Sequence, residues 1–136
     1  MRKEHGFIAA ELALGIGLLL FPVAMLVLTL PNWSERQSVA RAIARETGRS
    51  LVISGSCDRG EADEIANVMA RNLGVDPSDV EVALECLPGH LPRGGELTVR
   101  ATVRLPAVVI PGIAHVGGWS WTASHVEPVD PYRSFP

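Results

Sequence analysis

Apolar residues are distributed along this chain in four distinct patterns, each with its own structural consequence. Phe7 to Leu30 is a run of 24 residues in which Glu11 is the one ionisable side chain. At about 1.5 Å of rise per residue such a helix is roughly 36 Å long, enough to cross a hydrocarbon core of about 30 Å. Ser34 to Ser50, SERQSVARAIARETGRS, changes to a mixed helical pattern, with Val39 and Ile43 four apart and Arg41, Arg45 and Arg49 at the same spacing on another face. Pro22 and Pro31 lack an amide donor and are expected to kink or interrupt the long helix. A third pattern places Ala62, Ile65, Ala66, Met69 and Leu73 on one face of a helix over Glu61 to Leu73, with Gly74 as its C-terminal cap. The acids Asp58, Glu61, Asp63 and Glu64 suit the positive end of that helix's dipole.

The fourth pattern is alternation with period two. From Val80 to Cys86, Val80, Val82 and Leu84 face one way and Glu81 and Glu85 the other. From Glu96 to Leu105, five apolar residues alternate with Glu96, Thr98, Arg100, Thr102 and Arg104, and a third strand carries Trp119, Trp121 and Ala123 against Ser120, Thr122 and Ser124. Between the first two strands LPGHLPRGG is a loop, PAVVIPGIAHVGG is an apolar loop before the third, and EPVDPYRSFP is expected to be extended or disordered. The predicted fold is α+β: a long N-terminal membrane-spanning helix and stalk, then a small domain of one helix on a three-stranded antiparallel sheet. Its segments are a leader (1–6), a transmembrane helix (7–30), a stalk helix (31–54), an extracytoplasmic domain (55–126) and a tail (127–136).

Charge and cysteine content narrow the chemistry. A net charge of −3 with scattered arginines argues against a nucleic-acid partner. Arg2 and Lys3 before the apolar run favour a cytoplasmic N-terminus, with Arg36 and Arg41 on the far side acting against that bias. The domain after the span then lies outside the cytoplasmic membrane, where Cys57 and Cys86, the two cysteines present, can oxidise. We read them as a disulfide, since a zinc site needs two further close ligands; two buried free thiols are the alternative. No cofactor is expected. His90, His115 and His125 lack metal-ligand spacing and are placed on loops or the surface. Ser50, Ser54, Ser56 and Ser124 lack a nucleophile-elbow context, and Gly94-Gly95 and Gly117-Gly118 read as turns, so no enzyme is predicted. Trp119 and Trp121 are read as core, with an exposed binding surface as the alternative.

Glu11 is the residue that needs an explanation, because a carboxylate inside a membrane helix costs free energy and marks a partner or a function. Snorkelling to the interface or protonation is the bland answer. A cut between Gly6 and Phe7 supplies a sharper one: it creates an α-amino cation one helical turn from Glu11, on the same chain or on a neighbour staggered along the axis. A second feature, Ala9, Ala13 and Gly17 at intervals of four, forms a small-residue stripe for close helix approach, roughly opposite Glu11.

The segment MRKEHG followed by FIAAE resembles the class III leader of type IV pilins and pseudopilins: glycine before the cut, an aromatic residue after it, and glutamate as fifth mature residue. The whole chain is similar to the TadE-like minor pilins of the tight-adherence (Flp) pilus system in its order of elements, its proline-containing apolar loop after the second strand, its Phe21-Pro22 pair and its SHVEPVDPYRS ending. Pro31 departs from a continuous stalk helix, and the outer domain is too large for the major Flp pilins. The resemblance implies cleavage by a prepilin peptidase, assembly with other pilin subunits and Tad assembly-platform membrane proteins, and a role in cell adhesion or secretion at the cytoplasmic membrane. The alternative is an uncleaved, signal-anchored membrane protein with an outer binding domain.

Overall fold

A computed structural model describes residues 4–86, 91–110 and 114–132. The elements run α1 (Glu4–Ser54), α2 (Arg59–Asn72), a 3-10 turn (Pro77–Asp79), β1 (Val80–Glu85), β2 (Glu96–Arg104), β3 (Val108–Ile110), β4 (Ala114–Val116) and β5 (Ser120–Pro128). This is the predicted α+β class. The chain divides into two units, residues 1–33 and 34–136.

Helix α1 carries 51 residues and includes both Pro22 and Pro31, so neither proline interrupts it. Each proline removes one intrahelical hydrogen bond. Leucine- and alanine-rich neighbours around Pro22 restore propensity, and burial of Val39, Ala40, Ile43, Ala44, Leu51 and Val52 holds the helix after Pro31. Within residues 34–136 that second part of α1 belongs to the same core as α2 and the sheet. A face read from the sequence as a stalk therefore supplies a wall of the domain.

Antiparallel pairing gives the order β1-β2-β5. Leu97, Val99, Ala101 and Val103 on β2 are all fully buried, as their alternation predicts, and Val82 on β1 and Ala123 on β5 sit on the same face. The opposite face is mostly polar: Arg100 pairs with Glu85 at 2.8 Å, and the Thr102 and Thr122 hydroxyls meet at 2.8 Å across the strands. Between β2 and β5 the segment read as an apolar loop forms a separate two-stranded hairpin, β3 with β4. Three-residue strands flanked by proline and glycine are too short for alternation to reveal.

Helix α2 begins with Asp58 as N-cap, its carboxylate accepting the Glu61 amide at 2.9 Å, and ends at Leu73 followed by Gly74 in the left-handed region (φ 70°). That conformation lets the Val75 amide reach back to the Ala70 carbonyl at 2.8 Å, which a side-chain-bearing residue would do only under strain. Its fully buried residues are Ala62, Ala66 and Ala70; Ile65 and Met69 are half-buried, and Leu73 is exposed. Small side chains on the inner face allow the helix to lie close to β1, pushing the larger ones to its margin. The following turn is capped by Asp76, whose carboxyl the Ser78 amide and hydroxyl hold below the usual carboxylate range.

At Gly48, α1 comes close to the sheet. A Cβ there would stand 3.3 Å from Val99 Cγ2 and 3.5 Å from His125 Cδ2. The preceding residue, Thr47, is fully buried and its Oγ1 has no hydrogen-bond partner among the described residues. Thr47→Val keeps the shape and removes a desolvated hydroxyl, so it is expected to stabilise residues 34–136 by about 1 kcal/mol. Amide hydrogen exchange of β2, the central strand, in the full chain measures this; unchanged or lower protection contradicts it.

The first residues of the proline-rich tail are extended, as expected, and are tied to the sheet. Pro128 closes β5 opposite Glu96, and Val129 is buried, donating its amide to the Gly95 carbonyl at 2.9 Å and accepting from Gly94 at 3.1 Å. A proline at the last position of an edge strand sacrifices one ladder donor only.

Candidate functional site

The residues singled out for assembly all lie in the first unit. Ala9, Ala10, Leu12, Ala13 and Leu14 are strong helix formers, and α1 already includes the Gly6–Phe7 junction in its backbone. The side chains of Phe7 and Ala9 fall outside the described residues. Glu11 is exposed, one turn or about 6 Å of rise beyond Phe7. Among the described residues it has no ion-pair or hydrogen-bond partner.

Glu11 stands on a face shared with Ile8, Leu12, Gly15, Ile16 and Leu19, which together line a shallow groove of about 450 Å³. Gly15 has open space where a side chain would be. The carboxylate thus occurs on an otherwise apolar surface with a flat step one turn above it. The sequence reading concentrated on Ala9, Ala13 and Gly17 and missed Gly15; its signal was the four-residue interval from Glu11. Gly17 is equally open and lies on the other side of the helix, so the two faces that a neighbouring helix can approach are distinct.

Beyond Glu11 the surface is continuously apolar. Leu14, Leu18 and Leu19 are 70% exposed or more, and the most apolar window of α1 has none of its surface buried within the chain. A water-soluble protein would bury such a helix in its core. By length and composition α1 is one helix able to cross a membrane, near the N-terminus.

The remaining predicted sites lie in the second unit. Cys57, in the connection from α1 to α2, and Cys86, just past β1, come to disulfide distance with Cα atoms 6.3 Å apart. His125 is half-buried and its Nε2 lies 2.8 Å from Glu127 Oε2. His90 lies outside the described residues, as does the side chain of His115. Trp119 and Trp121, read as core, are 51% and 37% exposed. The register explains this: Trp121 faces the core side opposite Val103, but on an edge strand, and Trp119 precedes β5, its carbonyl accepting the Leu105 amide at 2.9 Å.

No protein-family model, no curated protein and no solved structure matches this chain.

Proposed function

We propose that the chain is a minor pilin-like structural subunit of a Tad/Flp (type IV-like) pilus or a related secretion assembly. Prepilin peptidase cuts it between Gly6 and Phe7, and its N-terminal helix then docks against other pilin subunits and assembly-platform membrane proteins. The observation that carries the reading is Glu11: an exposed carboxylate on an apolar helix, without a partner in its own chain among the described residues, one turn from the residue whose amine the cut would free. In lipid an uncompensated carboxylate is costly, and a nearby ammonium offsets that cost. Pairing between neighbours fixes both partner and axial register.

In this reading the N-terminus is cytoplasmic, the helix crosses the cytoplasmic membrane once, and the domain of residues 34–136 stands outside it, where Cys57 and Cys86 oxidise. The subunit does no chemistry of its own. Intact-mass measurement of the protein extracted from membranes of a host with an active prepilin peptidase tests the reading. The expected mass lacks MRKEHG; a chain that keeps those six residues is a signal-anchored protein with an outer binding domain instead.

A further inference from the structure

The margins of the three-stranded sheet carry complementary surfaces. At the β5 margin a cleft of about 640 Å³ opens between the second part of α1 and the strand. Arg41 and Arg45, one turn apart, form one wall with Ala42; Trp121, Ala123 and His125 form the other. Consecutive residues of β5 line it, including Thr122 and Ser124 from the opposite face, so the cleft wraps the strand's free edge. Both arginines are exposed, and among the described residues no carboxylate lines the cleft and neither arginine has an ion-pair partner.

At the β1 margin lies α2, whose outer side has the reverse character. Glu61 and Glu64, also about one turn apart, border an apolar groove of about 300 Å³ formed with Ile65, Val68 and Met69. Val68 is 45% exposed. Neither glutamate side chain is ion-paired among the described residues. Since α2 packs on β1 and the strand order is β1-β2-β5, the acidic ridge and the basic cleft sit at opposite ends of one sheet.

We propose that this domain self-associates head to tail: the α2 ridge of one copy docks in the α1–β5 cleft of the next, Glu61 and Glu64 meeting Arg41 and Arg45 while Ile65 and Val68 cover Trp121 and Ala42. Two charges at one-turn spacing on each side give register, and the apolar strip between them gives the buried area. The two surfaces differ, so the contact is heterologous, and its repetition adds copies in line rather than closing a symmetric dimer. Trp121 and Val68, 37% and 45% exposed, are both covered by this one contact. The inference uses no group in the membrane helix and stands apart from the proposed cleavage.

The test uses the full chain in detergent micelles with the photoreactive residue p-benzoylphenylalanine replacing Val68. The expected products are cross-linked dimers and higher ladders, with the link mapping to residues 38–45 or 121–125 of another copy. Arg41→Glu with Arg45→Glu lowers the yield by about tenfold, as does Glu61→Lys with Glu64→Lys. Joining all four substitutions in one chain restores it, and so does mixing the two charge-reversed chains, which keeps the test decisive if the fourfold variant folds poorly. Rising salt weakens the link. Glu11→Gln leaves it unchanged, which separates this contact from assembly through the helix. Links from α2 to α2, links to a different protein only, the absence of any link, or a yield indifferent to the charge reversals each overturn the proposal.

Discussion

Replacing Cys57 and Cys86 together by alanine is expected to destabilise residues 34–136 by about 3 to 4 kcal/mol, the chain-entropy value for closing a loop of this length. The two cysteines are 29 residues apart in sequence, and both pack against the edge of the hydrophobic core. Their link ties the α1–α2 connection to the end of β1. Between them β1 is held by its ladder to β2 and by buried Val82, whereas α2 depends on three buried alanines and the half-buried Ile65 and Met69 for its attachment. Alanine methyl groups bury little area, so the bond supplies a large part of what holds that helix. For a domain whose total stability is of the order of 5 to 15 kcal/mol, losing this amount is severe. Amide exchange of β2 and α2 in the full chain, with and without reductant, gives the measurement. The alanine variant and the reduced wild type should coincide, and α2 should open before β2. Equal protection in all three samples would mean that the pair contributes nothing, as expected of two free thiols.

The parts of this fold that could be read from the sequence are those where a single period governs burial. On β2 the apolar and polar residues alternate without exception from Glu96 to Arg104, and the burial pattern follows that alternation. The Gly74 cap is equally plain, because its local chemistry needs no tertiary partner, while Asp58, which the sequence places among the acids at the positive end of the dipole, is the N-cap itself. What escaped depends on contacts distant in sequence. Nothing in SERQSVARAIARETGRS says that its apolar face meets the same core as β2; the close approach at Gly48 is set by Val99 and His125, some 50 or more residues later. On β5 the alternation put Trp121 on the correct face but could not show that the strand is an edge, where α1 leaves an indole partly uncovered. The four-residue spacing of Arg41, Arg45 and Arg49 puts them on one helical face, but that two of them line a cleft with β5 depends on that same edge. For Glu11 the position was evident from the apolar run alone, whereas Gly15, which shapes the groove beside it, gains meaning only once the helix is drawn in three dimensions.

Glu11→Gln is expected to leave membrane insertion and removal of MRKEHG intact while lowering incorporation into an assembly by about a hundredfold. The figure follows from breaking one side of a desolvated ion pair, about 3 kcal/mol, which leaves the new amine of a neighbouring chain uncompensated in lipid. Glutamine keeps the volume and the hydrogen-bonding reach of glutamate, so steric loss does not account for the effect. Coupling supplies the sharper criterion. In a chain kept uncut by Gly6→Val the amine never forms, and the same Glu11→Gln change should then cost little more. Cross-linking between helices through a photoreactive residue at Gly15, on the Glu11 face, reads both arms in membranes before any filament is needed. A Glu11→Gln defect of equal size in cut and uncut chains would assign Glu11 to another partner, such as a basic side chain of the assembly platform. No defect in the cut chain would remove the pairing altogether, and with it the reason for a carboxylate at that depth.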